Sequence, residues 1–276
     1  MKTAIDLQPW FATWFDSTYY QQLYRHRDDK EAEDFIDLVL AELQPAENSV
    51  MLDLGCGTGR HSKYLASKGY TVFGLDLAAS SIRQARKFAS ESLYFLKWDM
   101  RKPFGKNNFD FVFSFFTSFG YFNSREENNN VIKNMATAIK NDGTILIDYL
   151  NATYVENHLV PVEEKEIDGV WYRINRWADE RFIYKRIAIM DQQQLSSVAY
   201  TEQVAKFTLD DFDHFFAENG LDVVSVYGDY DLNEYDAQSS KRLIITGRKS
   251  NKSEYRNTKS EKLSCRTTGA KTGLEY

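Results

Sequence analysis

The chain has 276 residues, 43% of them hydrophobic and 27% charged, which is enough for one large α/β domain with an insertion or for two small domains. A formal net charge of −6 argues against a broad nucleic-acid footprint, and no apolar run approaches the roughly 18 residues that span a bilayer. Two distant cysteines, Cys56 and Cys265, exclude a disulfide framework and a cysteine-based zinc site, and they predict a reducing, cytoplasmic setting.

Helices and strands alternate along the first half of the chain. Apolar periodicity predicts four helices, over Glu31–Leu43, Arg60–Lys68, Ser80–Ser90 and Glu126–Lys140. Short apolar runs predict five strands, at Val50–Leu54, Tyr70–Leu75, Leu93–Leu96, Phe109–Phe113 and Thr144–Tyr149. Such alternation is typical of right-handed crossovers and a parallel sheet that is covered on both faces.

A different pattern follows in the second half. Alternating residues such as Val170, Tyr172 and Ile174 predict antiparallel strands between Val162 and Tyr200. We interpret this stretch as an inserted lid. Thr208 and Asp211 have the spacing of a capping box, which predicts a helix that runs to Asn219-Gly220. The last predicted strands are Leu221–Tyr227 and Leu243–Thr246.

The strongest chemical signal is the loop after the first strand, which reads Asp53-Leu-Gly-Cys-Gly-Thr-Gly59. Glycines between a strand and a helix let the backbone approach a nucleotide at the carboxyl edge of the sheet. On these glycines alone, a tight turn that packs the helix on the strand is the alternative. The spacing differs from the Gly-x-Gly-x-x-Gly of dinucleotide sites, because Arg60 stands where the third glycine would be. Asp76, at the end of the second strand, can accept both ribose hydroxyls of a nucleoside.

The order of these motifs resembles class I S-adenosylmethionine-dependent methyltransferases. Asp53–Gly59 and Gly74-Leu75-Asp76 are similar to their first and second motifs, and Trp98-Asp99-Met100 is similar to the third. Two further matches are the strand signature Phe109–Val112 and the turn Asn141–Thr144. The resemblance implies a Rossmann-like α/β fold, a mostly parallel seven-stranded sheet with an antiparallel last strand, and an antiparallel β lid inserted after the fifth strand.

Further segments resemble a bacterial small-molecule subgroup, which includes N-methyltransferases that act on amino sugars and related amines. These segments are Thr117–Phe122, Asp148–Asn151, Gly228–Asp231 and, at the N-terminus, Tyr20–Tyr24 with Arg27-Asp28. Gln21 departs from the subgroup, which often has Asp at that position, so contacts from the N-terminal segment are open.

The resemblance implies the cofactor, S-adenosyl-L-methionine, and its product, S-adenosyl-L-homocysteine. It assigns Gly55 and Gly57 to the methionine and ribose portion, Asp53 to the amino group and Asp76 to the ribose, and it includes Cys56 and Leu77 among the cofactor-binding residues. The adenine would be held by Asp99 and Met100, the methionine part by Phe115, and the cap of the site would be formed by Tyr20 and Tyr24. For the two tyrosines, ordinary core packing is the alternative.

The chain offers few acid–base groups for the transfer. His61, Tyr121, Asp148 and Asn151 are the weak candidates for a catalytic base, and each has a structural role as its alternative. The rings of Phe115, Phe116, Phe119, Tyr121 and Phe122, and on the lid Trp171, Tyr172 and Trp177, could form an acceptor wall or join lid to sheet. The scattered histidines predict no metal site.

The predicted organisation has five parts. They are an N-terminal helical cap (1–44), a cofactor-binding core (45–150), a β-rich lid or acceptor insertion (151–206), the C-terminal part of the core (207–249) and a disordered tail (250–276). The expected partner is a small-molecule acceptor, with no nucleic acid or membrane, and a homodimer is open.

Three other functions are alternatives to this reading. A methyltransferase acting on RNA or protein is disfavoured by the acidic balance, and a nicotinamide-dependent oxidoreductase by the glycine spacing. A binding module without turnover is the third.

Overall fold

The computed structural model describes residues 9–25, 29–191 and 196–250. Arg27-Asp28 and, apart from Ser250, the predicted tail 250–276 lie outside the described residues. Within those residues the chain forms a seven-stranded sheet and a four-stranded sheet. No helix of the described ranges is long and apolar enough to cross a membrane.

The helices and strands have the following bounds. The helices are α1 (Trp10–Trp14), α2 (Thr18–Leu23), α3 (Asp29–Leu43), α4 (Arg60–Ser67), α5 (Ala79–Ala85), α6 (Arg125–Ala138), α7 (Ala152–Asn157) and α8 (Leu209–Glu218). The strands are β1 (Val50–Leu54), β2 (Thr71–Asp76), β3 (Leu93–Lys97), β4 (Phe109–Ser114), β5 (Ile139–Leu150), β6 (Val162–Ile167), β7 (Val170–Ala178), β8 (Phe182–Asp191), β9 (Ser196–Ala205), β10 (Leu221–Tyr227) and β11 (Arg242–Lys249).

The seven-stranded sheet has the order β10-β11-β5-β4-β1-β2-β3. The pairs β1–β2, β1–β4, β2–β3 and β4–β5 are parallel, and β11 is antiparallel to both β5 and β10. The predicted Rossmann-like sheet with an antiparallel last strand is therefore confirmed. The strand order reverses between β1 and β4, and such a switch point is where ligands bind in open α/β sheets.

Helices cover both faces of this sheet because successive strand residues point to opposite sides. On one face α3, α4 and α5 bury residues such as Phe35, Leu65 and Ile82 against Met51. On the other face α6 and α8 pack against Leu52 and its neighbours. The carboxyl ends of the strands stay uncovered by these helices, and that edge carries the site.

The four-stranded sheet runs β6-β7-β8-β9 with every neighbouring pair antiparallel, which confirms the predicted insertion. One of its faces carries Val170, Tyr172 and Ile174, and these pack against Trp14 of α1 and Leu23 of α2. The two N-terminal helices therefore lie between this sheet and the seven-stranded sheet.

Local details agree with the predicted motifs in part. Thr208 and Asp211 form the predicted capping box, each side chain accepting the backbone N–H of the other. The prediction that α6 reaches Lys140 is wrong, since the helix ends at Ala138 and Ile139 is already paired with Phe109. The side chain of Ile139 is fully buried there, so packing overrides the helical pattern.

Candidate active site

A cavity of about 990 Å³ opens at the carboxyl edge of the seven-stranded sheet. Its floor comes from the loops after β1, β2, β3 and β4, and its roof from α2 and β9. Drug-sized ligands occupy pockets of about 300–1,000 Å³, so this volume has room for a nucleoside and a second small molecule.

The glycine loop after β1 forms one wall of the cavity. Gly55 has φ +82°, its N–H donates to the carbonyl of Leu75 at 2.7 Å, and a Cβ on it would lie 2.5 Å from the Cβ of Ser118. Gly57 has φ +55°, and a Cβ there would meet no atom within 4 Å. The backbone at Gly57 therefore faces open space, as close approach to a ligand requires.

Asp76 lies on the cavity wall at the end of β2. Its Oδ2 accepts the N–H of Gly57 at 2.8 Å, and its Oδ1 accepts the N–H of Ala78 at 2.7 Å. Burial raises the pKa of this carboxyl, and the backbone donors oppose that shift. Each oxygen has two lone pairs, so the carboxylate can hold the loop and still accept two hydroxyl groups.

Asp53 lies beneath the loop and is not among the residues that line the cavity. It is 1% exposed, and its Oδ2 accepts the hydroxyl of Ser62 at 2.6 Å. Burial raises the pKa of Asp53 to about 7. This placement of Asp53 differs from the contact with the amino group of the cofactor that the resemblance implies. The alternation of side chains along β1 turns Asp53 towards α4.

Asp99 and Met100 line the cavity after β3, as the third motif implies. Asp99 pairs with Arg101, whose Nη2 lies 2.8 Å from Oδ2, and Arg101 in turn pairs with Glu127 at 2.8 Å. Partial burial raises the pKa of Asp99, but hydrogen bonds from Arg101 outweigh it and lower the pKa overall. The carboxylate therefore stays ionised and can accept a hydrogen bond.

The remaining residues of the implied cofactor set also line the cavity. Leu77, Cys56 and Phe115 lie on the sheet side, and Tyr20 and Tyr24 on the roof. Burial raises the pKa of the Cys56 thiol well above its usual range, so this cysteine stays protonated. The structure thus brings together all of the set except Asp53 around one space.

The four candidates for a base have different surroundings. Asp148 and Asn151 are not among the lining residues, and both are buried. The side chain of Asn151 donates to the carbonyls of Ala237 and Ser240 at 3.0 and 2.8 Å. His61 and Tyr121 do line the cavity; the His61 ring packs 4.7 Å from that of Phe115.

Asp148 is used to hold the loop after β4. It pairs with Arg242, which has Nη2 2.5 Å from Oδ1, and its Oδ2 accepts the N–H of Phe116 at 2.7 Å. Phe116 and Thr117 have φ +53° and +59°, a left-handed region that bulky and β-branched residues rarely adopt. Arg242 also donates to the Thr117 hydroxyl at 2.9 Å, so the ion pair and the strained loop are one unit.

The aromatic residues predicted as an acceptor wall separate into two groups. Those that line the cavity are Phe115, Phe116, Tyr121 and Phe122. Phe119 is buried against Tyr149 and α8. On the lid, Tyr172 is in the core beneath the sheet, while Trp171 and Trp177 are 40% and 42% exposed.

The sequence-based assignment missed the charged cavity residues Arg25, Asp29, Arg60, Lys63, Glu202 and Arg242, of which the last two matter most here. Glu202, on β9, lies on the roof of the cavity, and Arg242, at the start of β11, lies beside the end of β5. The alternation of residues along a strand predicts which side chains share a face of the sheet. It does not predict which strands lie next to the site.

Comparisons with known proteins agree with this geometry. Residues 51–143 match the profile of a methyltransferase domain. A cypemycin N-terminal methyltransferase of a Streptomyces species is 26% identical over 220 residues, which are 74% of this chain and 85% of that protein. The dTDP-3-amino-3,4,6-trideoxy-alpha-D-glucopyranose N,N-dimethyltransferase of Streptomyces venezuelae is 30% identical over 118 residues, 43% of this chain and 48% of that one.

A solved structure is also similar over most of the fold. The S-adenosylmethionine-dependent methyltransferase from Clostridium acetobutylicum ATCC 824 superposes with a TM-score of 0.71 at 17% identity, covering 84% of this chain and 96% of its own. At this identity the likeness concerns the fold.

Proposed function

Because this chain is a class I S-adenosylmethionine-dependent methyltransferase, we propose that it methylates a small molecule at a nitrogen or oxygen nucleophile. The observation that carries the proposal is the cavity of about 990 Å³, whose floor carries the motif residues and which has room for a second ligand under its roof. The acidic net charge supports a small acceptor over a nucleic acid. We place the reaction in the cytoplasm, on the support of the low cysteine content.

The fit of the cofactor rests on the chain's own donors and acceptors. We propose that Gly55, Cys56 and Gly57 lie against the methionine and ribose portion, because the open space at Gly57 would be lost with any side chain. Asp76 and Leu77 would hold the ribose. An ionised Asp99 would accept from the adenine amino group beside Met100.

The chemistry that the cofactor supplies is an activated methyl group on a sulfonium. The protein's part is to position the nucleophile in line and to exclude water. Phe115 and the roof residues Tyr20 and Tyr24 line the cavity, and aromatic rings stabilise a nearby cation. We propose that α1, α2 and the four-stranded sheet together close the acceptor end of the site.

Binding of the cofactor can be tested with purified protein by calorimetry. We expect S-adenosylmethionine and S-adenosylhomocysteine to bind with micromolar affinity, and NAD not to compete. Asp76→Asn is expected to weaken binding by about 1–3 kcal/mol, since one ribose hydroxyl loses its acceptor. Asp179→Asn is the matched control, because Asp179 also accepts two backbone N–H groups, from Arg181 and Phe182, away from the cavity.

The acceptor class can be tested with methyl-labelled cofactor. A metabolite extract is divided into a small-molecule fraction, a protein fraction and an RNA fraction, and each is incubated with the enzyme. We expect label only in the small-molecule fraction. Label in the protein or RNA fraction alone would overturn the small-acceptor proposal and leave the methyltransferase assignment intact.

A further inference from the structure

The carboxylate of Glu202 lies in the cavity and has no role in the proposed binding of the cofactor. Four carboxylates line the cavity within the described ranges: Asp29, Asp76, Asp99 and Glu202. Asp76 and Asp99 belong to the nucleoside end, and Asp29 is exposed at the first turn of α3. Glu202 is on the roof with its side chain only 15% exposed.

The two oxygens of Glu202 have different surroundings. Oε1 accepts the indole N–H of the buried Trp14 at 2.5 Å and the hydroxyl of Tyr24 at 3.1 Å. Oε2 lies 3.7 Å from Nζ of Lys185, which is an ion-pair distance beyond the reach of a hydrogen bond. Within the described part of the chain, Oε2 therefore has an ionic neighbour and no hydrogen-bond donor.

Lys185 balances the negative charge of the Glu202 carboxylate. It lies directly opposite Glu202 in the β8–β9 pair, donates to the hydroxyl of Tyr24 and sits 4.6 Å from the centre of the Tyr24 ring. The carboxylate and the ammonium together are close to neutral. A site of this kind holds an N–H donor without favouring an additional positive charge.

Resting on the proposed small-molecule methylation, we infer that Glu202 binds the acceptor and that the acceptor is a primary or secondary amine. Its N–H donates to Oε2 of Glu202. The uncharged amine is preferred over the ammonium because Lys185 already supplies the positive charge. The neutral form is the one whose lone pair is available for methyl transfer.

The same contacts disfavour a hydroxyl acceptor. A hydroxyl is a poor nucleophile until a base removes its proton. Glu202 is engaged by Trp14, Tyr24 and Lys185, so we assign it to holding the acceptor and not to removing its proton. An amine that binds uncharged needs no base before transfer, and its proton leaves to solvent afterwards.

The surrounding rings fit a nitrogen that becomes positive as the methyl group arrives. Tyr24 and Tyr20 have ring centres 4.8 Å apart, and Phe15 lies 5.0 Å from Tyr20. All three line the cavity, and Tyr121 packs 5.1 Å from Phe15 on the same wall. Aromatic faces attract the cation that forms on the acceptor.

The test uses the full chain with methyl-labelled S-adenosylmethionine and the small-molecule fraction of a metabolite extract. Mass spectrometry with fragmentation assigns the labelled methyl group to nitrogen or oxygen in the main product. We expect nitrogen. We also expect the rate at subsaturating acceptor to rise with pH up to the pKa of the acceptor's own ammonium group.

Two variants separate recognition from folding. Glu202→Gln keeps the size of the side chain and is expected to lower kcat/KM for the amine at least tenfold, with the affinity for S-adenosylhomocysteine changed less than twofold. Glu163→Gln is the matched control, since Glu163 is a lid carboxylate that pairs with Arg176 and Lys165 away from the cavity. It should leave both quantities unchanged.

Lys185→Met adds a measurement that a purely structural role would not move. Without the lysine, Glu202 carries a net negative charge and accepts the ammonium form, so KM should become less dependent on pH. An O-methylated main product, or a Glu202→Gln variant with unchanged kcat/KM, would overturn the inference. Failure of the chain to bind S-adenosylmethionine would instead overturn the proposed function itself.

Discussion

The ion pair between Asp148 and Arg242 offers a quantitative test of how the site is held together. Asp148 is 0% exposed and Arg242 is 18% exposed, so each charge depends on the other for stabilisation. The substitution Asp148→Asn leaves the guanidinium without its anionic partner. It also weakens the contact with the N–H of Phe116, which is 2.7 Å in the native protein.

The expected cost follows from this burial. Removing one partner of a buried ion pair costs about 3–5 kcal/mol, because a charge remains without compensation. Relaxation of Phe116 and Thr117 from their left-handed conformation offsets part of it, since each such residue stores about 1–3 kcal/mol. We therefore expect Asp148→Asn to lower the free energy of unfolding by roughly 3 kcal/mol.

The assay is urea denaturation followed by circular dichroism, with linear extrapolation to water. Glu164→Gln is the control, because its ion pair with Arg173 is 3.4 Å long with side chains 53% and 60% exposed, and exposed pairs contribute about 0–1 kcal/mol. Asp148→Asn combined with Arg242→Met should be less destabilising than the sum of the two single changes. A loss below about 1 kcal/mol in Asp148→Asn would refute the reasoning, because it would show that the pair is not a buried unit.

Three further predictions concern the glycine loop, a buried carboxyl and the contact between the two sheets. Gly55→Ala should weaken binding of S-adenosylhomocysteine at least about tenfold by calorimetry, because φ +82° and the close approach to Ser118 leave no room for a Cβ. The free energy of unfolding of Asp53→Asn minus that of the native protein should increase by about 2 kcal/mol as the pH is raised from about 5.5 to 8 in denaturation experiments. Tyr149→Phe should lose about 1–3 kcal/mol of unfolding free energy, because the buried hydroxyl donates to the carbonyl of Ala205 at 2.5 Å.

The direction of the Asp53 effect comes from its raised pKa of about 7 against an ordinary 3.8. Between these values the native state holds a proton that the unfolded state has released, so native stability falls as pH rises through the folded pKa. A difference in unfolding free energy between Asp53→Asn and the native protein that does not change with pH would contradict this prediction. Gly69→Ala is the control for Gly55, since Gly69 has φ +96° with nothing within 4 Å and lies outside the cavity. For Tyr149→Phe, unchanged stability would mean that solvent satisfies the Ala205 carbonyl.

Much of the proposed nucleoside end of the cavity could be predicted from sequence because the information is local. The glycine loop and Asp76 follow β1 and β2 directly, and Asp99 follows β3. The carboxyl ends of neighbouring parallel strands meet at one edge, so motifs at those ends converge whatever the rest of the chain does. The Thr208–Asp211 capping box was predictable for the same reason, since its partners are three residues apart.

Some residues were placed at the right edge, but their side-chain contacts could not be foreseen. Asp148 follows the same logic as Asp76, yet its partner Arg242 lies 94 residues further on. Asp53 belongs to the first motif, but the pleat of β1 directs it to Ser62 beneath the loop. The lone pairs that a carboxylate has available for a ligand therefore depend on neighbours that the local sequence does not reveal.

Sequence alone predicted most of the helices and strands in order, although not α1, α2 or α7. It also predicted the parallel sheet with its inserted antiparallel strands and the glycine loop proposed to receive the nucleoside, because periodicity and turn chemistry act over a few residues. Only the tertiary structure decided what forms the roof of the cavity. Glu202 meets Tyr24 across 178 residues of chain, and its pairing with Lys185 depends on the register of β8 and β9. Hydrophobic packing of Trp14 and Leu23 on the four-stranded sheet brings these groups over the site, and that packing is a property of the whole fold.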